Sequence, residues 1–212
     1  MLKQPPRRLP LREVTSSWSS PVVVQDGRRW IVLAQGVPVL AAYDAASGSL
    51  LWTVPDQLGE NAPSPAYAAG RVVASNQNLS LSTVDALTGK LIWDTYDDFP
   101  DVSSPLATAD IVLMAASYGV VTCLDAAAGG VLWREQFPKG FYASPILAGG
   151  RFYLVDRTGV ARIFKADRTR QLLGSPALGE PVDATPAVQG SALYVRTRTH
   201  LFRIGGSSAG KS

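Results

Sequence analysis

The sequence is poor in the residues that most site chemistry needs. Its 212 residues include one cysteine, Cys123, and one histidine, His200. A lone cysteine excludes an internal disulfide and any multi-cysteine metal site. A lone histidine leaves no histidine pair for zinc. No uncharged apolar stretch reaches the roughly 18 residues of a membrane span. Residues 1–8, Met-Leu-Lys-Gln-Pro-Pro-Arg-Arg, carry charge with no apolar core behind them, so they do not read as a secretory signal. Neither G-x-x-x-x-G-K-[ST] nor a strand-linked G-x-G-x-x-G occurs. The ending Gly210-Lys211-Ser212 lacks both the upstream glycine and the following helix. No segment of ten or more residues has helical periodicity.

What is present is apolar and folded in character. The chain is 46% hydrophobic and 17% charged, too apolar for a disordered chain. A net charge of +3 is only mildly basic and predicts no specific nucleic-acid partner. The excess lies between Arg151 and Arg203, where nine Lys/Arg face four Asp/Glu. These read as the polar side of alternating strands. Arg157, Arg162, Arg168, Arg170, Arg196 and Arg198 are also the candidates for a face that favours acidic partners.

A repeat dominates the chain. Ser20-Pro21, Ser64-Pro65, Ser104-Pro105, Ser144-Pro145 and Thr185-Pro186 follow one another at intervals of 44, 40, 40 and 41 residues. Each proline precedes a short apolar run, a small turn such as Asp26-Gly27 or Gly149-Gly150, and a second apolar run. Three repeats then share a longer phrase. Asp44, Asp85 and Asp125 stand four residues before Gly48, Gly89 and Gly129, and eight before Trp52, Trp93 and Trp133. The phrase reads as a hairpin. Asp accepts a hydrogen bond from a backbone N–H two residues on, Gly supplies a positive φ, and Trp ends the next strand with a flat surface for a neighbouring unit. These are fold residues rather than chemistry.

About 40 residues with four short strands is one propeller blade. The repeats span 16–59, 60–100, 101–140 and 141–180, with a fifth from 181. In the fourth, Lys165, Thr169 and Leu173 stand where Asp, Gly and Trp would be. The fifth lacks its outer strand. The fold class is therefore all-β: four full four-stranded blades plus a partial fifth. The divisions are an N-terminal segment (1–15), the repeats (16–204) and a Gly/Ser tail (205–212).

The Ser-Pro start, paired apolar runs and Asp-x-x-x-Gly-x-x-x-Trp phrase resemble the pyrroloquinoline-quinone-like β-propeller repeat, over nearly the whole chain. That family includes quinone-dependent dehydrogenases, an outer-membrane-protein assembly lipoprotein and many other bacterial propellers. The degenerate fourth repeat is more similar to the non-enzymatic members. The resemblance implies seven or eight blades where this chain has five starts. Either residues 9–14 (Leu-Pro-Leu-Arg-Glu-Val) close a five-bladed ring, or the chain is part of a larger propeller; Pro10 favours the second. Open blade edges would then invite self-association.

No catalytic, cofactor or metal residue is assigned. The dehydrogenase chemistry implied by the family needs a quinone, often Ca²⁺, and in alcohol dehydrogenases a disulfide that Cys123 alone cannot form. Asp97, Asp98 and Asp101 read as a solvated loop, His200 as structural or exposed, and Cys123 as an inert core thiol. The expected function is a non-catalytic scaffold whose loop face binds another protein. The alternatives are a quinone-dependent oxidoreductase or its relic, and a polysaccharide or small-ligand binder using Trp18 and Trp30. The sequence leaves the compartment open: the family resemblance suggests the periplasm or cell envelope, and a chain with no signal peptide of its own fits the cytoplasm as well.

Overall fold

The computed structural model describes residues 17–36, 38–55, 61–76, 80–97 and 100–205. Among them are 19 strands and no helix. The first blade is β1 (Val22–Asp26), β2 (Arg29–Gln35), β3 (Leu40–Asp44) and β4 (Leu50–Val54). The second is β5 (Ala66–Ala68), β6 (Arg71–Asn76), β7 (Ser80–Asp85) and β8 (Leu91–Thr95). The third is β9 (Leu106–Ala107), β10 (Ile111–Ala115), β11 (Val120–Asp125) and β12 (Val131–Gln136). The fourth is β13 (Ile146–Ala148), β14 (Arg151–Val155), β15 (Ala161–Lys165) and β16 (Leu172–Gly174). The last has three strands, β17 (Ala187–Gln189), β18 (Ala192–Arg196) and β19 (Leu201–Ile204). Each blade is an antiparallel meander in chain order. The N-terminal segment 1–15 and the tail beyond Gly205 lie outside the described residues, and with them the possible closing strand.

The Asp-x-x-x-Gly phrase closes as its chemistry demands. The Asp85 carboxylate accepts from the backbone N–H of Leu87 at 3.2 Å and of Thr88 at 2.8 Å, and Asp44 and Asp125 do the same in their turns. Gly48, Gly89 and Gly129 have φ of 70, 69 and 73°, the left-handed region where only glycine is unstrained.

Tryptophan then locks each blade to the next. The Trp52 indole N–H donates to the Ala86 carbonyl at 2.9 Å, and that of Trp93 to Ala126 at 3.0 Å. Each ring lies over the glycine of that next turn: a Cβ on Gly89 would sit 2.8 Å from Trp52, and one on Gly129 2.6 Å from Trp93. So the glycine serves both the turn and the indole.

The lock fails stepwise along the chain. At the third interface Phe164 holds the register position of Val84 and Leu124. Trp133 stacks on Phe164, with centroids 5.2 Å apart, and its buried N–H has no acceptor. In the fourth blade the turn is one residue longer: the Lys165 N–H donates to the Gln171 carbonyl, where that of Asp85 donates to Lys90 and that of Asp125 to Gly130. Strand pairing therefore corrects the sequence alignment. Gly174, not Leu173, holds the tryptophan position, because Gly174 pairs with Ile163 as Trp93 pairs with Thr83 and Trp133 with Cys123.

A second relay joins the blades through the Ser/Thr-Pro starts. The N–H of Ser20 donates to the Ser64 hydroxyl at 2.9 Å, Ser64 to Ser104 at 3.0 Å, Ser104 to Ser144 at 2.9 Å, and Ser144 to Thr185 at 3.0 Å. These residues sit at the head of the first strand of each blade. The contact between β5 and β9 places two of these first strands side by side. The hydroxyl requirement explains why threonine, but no apolar residue, replaces serine in the last repeat. Between the relays lie the cores, each shared by two adjacent blades.

Candidate protein-interaction face

A four-stranded meander has two ends. One carries the turns between first and second strands and the Asp turns. The other carries the loops between second and third strands and the connections from blade to blade. The second end is the more elaborately built.

Its framework is a set of carboxylates spent on backbone and side-chain donors of the loops. Buried Asp156 accepts from the N–H groups of Thr158 at 2.9 Å and Val160 at 3.1 Å, and from Arg162 at 3.3 Å. Arg162 in turn lies over the Phe137 ring at 4.9 Å. Asp101 holds the Ser117 N–H at 2.8 Å and also takes the Ser117 hydroxyl. Glu180 accepts from Thr197 at 2.5 Å and Thr199 at 2.7 Å, and pairs with His200 Nδ1 at 2.5 Å. The Thr197 and Thr199 hydroxyls, then His200, hold the Glu180 carboxyl down at about 2, so it stays ionised throughout the neutral range. His200 thus has a structural partner that no sequence spacing announced: the two are 20 residues apart.

Two glycines let the loops close on one another. A Cβ on Gly140 would lie 1.5 Å from the Ser117 carbonyl, and one on Gly159 1.9 Å from that of Glu180. Arg157, between them, donates its N–H to the Gly140 carbonyl at 3.0 Å. Its guanidinium lies over the Tyr142 ring at 4.0 Å and reaches Asp183 at 3.3 Å.

On this frame the connecting end exposes aromatic side chains. Trp18 is 62% exposed, Tyr96 68%, Tyr118 52% and Tyr142 36%. Tryptophan, tyrosine and arginine on a rigid backbone are the residues that dominate protein interfaces.

The six arginines singled out in the sequence do not form one face. Arg168 and Arg170 lie in the turn between β15 and β16, at the opposite end from Arg157 and Arg198. Four of the six are engaged within the chain. Arg168 pairs with Asp125 at 2.6 Å, and Arg170 takes both Glu135 oxygens at 2.5 Å, each across a blade boundary. Arg157 and Arg162 are bound as above. Trp18 and Trp30 are also separated: Trp18 precedes β1 at the connecting end, while Trp30, 53% exposed, is the second residue of β2, at the turn end. They do not flank one mouth. Asp98 lies outside the described residues, and Asp101 is taken up by Ser117. Cys123 is buried, and burial pushes its thiol up to about 12.

The family model described as outer membrane protein assembly factor BamB matches residues 8–109 and 100–207. The chain belongs to the BamB family. BamB of Yersinia pestis is 29% identical over 162 residues, which is 68% of this chain and 40% of that protein. The crystal structure of BamB from Moraxella catarrhalis covers 86% of this chain with a TM-score of 0.65 at 17% identity, and the match takes in 57% of that structure. A lanthanide-dependent methanol dehydrogenase of Methylacidiphilum fumariolicum is 33% identical over 63 residues, 29% of this chain and 10% of the enzyme. The chain therefore spans less than two thirds of each of these BamB proteins. The Asp, Gly and Trp positions recur within the chain's own repeats, inside the matched residues. The exposed aromatics of the connecting end are not part of that repeating phrase.

Proposed function

We propose that this chain is a non-catalytic propeller scaffold that binds a protein partner through its connecting-loop end, in outer-membrane-protein assembly in the bacterial envelope. The observation that carries the reading is the cluster built around Arg157. Its guanidinium is held between Tyr142 and Asp183, so an aromatic–arginine surface is presented with little left to order on binding. Family membership supports the assembly setting. The carboxylates that the first three repeats supply, Asp44, Asp85 and Asp125, are committed to their own turns, which favours a scaffold over a quinone enzyme.

The test is a paired substitution, Tyr142→Ala with Arg157→Ala, in the bacterium that makes the protein. Loss of two interface anchors is expected to weaken partner affinity by about tenfold or more. Outer-membrane-protein levels should fall toward those of the deletion strain, while the purified variant keeps a cooperative melt. Trp30→Ala, at the other end, should change neither. If deleting the gene leaves those levels unchanged, or if the paired variant behaves as the parent, the proposal is wrong.

A further inference from the structure

We propose that the boundary between the fourth and fifth blades is a binding site for a small neutral aromatic molecule of indole size. The inference rests on the internal symmetry of the array and is independent of the function proposed above.

Three boundaries hold an indole in the same place. At the third, Trp133 lies among Leu113, Val121 and Cys123 of its own blade and Phe152, Leu154 and Phe164 of the next. Strand register carries each of these positions forward by one blade. Leu113 corresponds to Tyr153, Val121 to Ala161 and Cys123 to Ile163. Phe152 corresponds to Leu193, Leu154 to Val195 and Phe164 to Ile204. The tryptophan itself corresponds to Gly174.

These six residues line a cavity of about 150 Å³, with Val155, Pro176 and Leu178 completing the wall. The slot has kept its shape and lost its side chain. Gly174 adds nothing to it; a Cβ there would meet only Pro176, at 3.9 Å. The lining is aliphatic apart from the Tyr153 ring and carries no charged side chain. An apolar cavity of about 150 Å³ stays dry and admits a benzene-sized ring. Ile204, 45% exposed where its counterpart Phe164 is fully buried, leaves the site a way in. Both aromatic counterparts on the far wall are replaced by smaller aliphatic residues, Phe152 by Leu193 and Phe164 by Ile204, while on the near wall Tyr153 and Ile163 are larger than Leu113 and Cys123.

The full chain, labelled at its Ile, Leu and Val methyls, should be titrated with indole by NMR. Saturable shifts are expected at Val155, Ile163, Leu178 and Val195. Two variants fill the slot from opposite blades: Gly174→Trp supplies the missing indole in register, and Leu193→Phe restores the bulk of Phe152. Each should weaken indole binding at least tenfold, and Gly174→Trp should raise the melting temperature. If only Leu193→Phe folds, it carries the comparison. Absence of saturable shifts up to the solubility of indole, shifts centred elsewhere, or unchanged affinity in a folded filled variant would overturn the proposal.

Discussion

Trp93→Ala is expected to destabilise the chain by about 3–5 kcal/mol, the range for removing a buried aromatic side chain. Trp93 is wedged between Val73 and Leu81 of its own blade and Val112, Met114 and Leu124 of the next. Its removal leaves a cavity that two sheets cannot close without shifting, and it strands the Ala126 carbonyl. Propeller blades contact mainly their neighbours, so the loss falls on one boundary and weakens the coupling across it. Urea unfolding followed by circular dichroism should show the lower midpoint. Leu173→Ala, at a half-exposed position of the fourth blade, should change stability by no more than about 0.5 kcal/mol. Comparable effects from the two would show that tryptophan does not hold the blades together.

Gly159→Ala should cost about 3 kcal/mol, from two faults at one atom. Its φ of +84° strains any residue with a Cβ, by about 1 kcal/mol. The Cβ would also lie 1.9 Å from the Glu180 carbonyl, and overpacking of that kind adds about 1–3 kcal/mol. The backbone cannot move freely, because the Gly159 carbonyl accepts from Leu178 at 2.9 Å and its N–H donates to Asp156 at 2.8 Å. Displacing Glu180 also removes the acceptor that Thr197 and Thr199 share. Gly48→Ala separates the two faults. It has φ of +70° but nothing within 4 Å of the new Cβ, so only the strain of about 1 kcal/mol remains. Equal losses in the two variants, measured by urea unfolding, would show that the close approach at Glu180 does not matter.

The blades were legible because each repeat states its own local chemistry. Asp44, Asp85 and Asp125 close turns within a few residues, and Gly48, Gly89 and Gly129 sit where the backbone must turn left-handed. Such requirements recur at a fixed spacing and can be read without coordinates. What joins the blades was only partly legible. The tryptophans suggested contact with a neighbouring unit, but their acceptors, Ala86 and Ala126, are backbone carbonyls more than 30 residues away. The serine before each proline stood out only as a marker, and its hydroxyl proves to be the link from blade to blade. The fourth repeat misled at the level of a single residue: a longer turn moves Gly174, not Leu173, into the tryptophan place. The arginines looked like one surface because they are close in sequence. A strand carries successive charges to opposite ends of a blade, and partners such as Asp125 and Glu135 lie in the preceding repeat.

The partner-binding role of the connecting end is tested most directly by site-specific photo-crosslinking in living cells. A photoreactive residue at Tyr118 probes that end, and one at Leu87, equally half-exposed, probes the Asp-turn end. The account predicts a defined crosslinked product containing an outer-membrane-protein assembly component from position 118 and none from position 87. A product from position 87 alone, or no product from either, would contradict it.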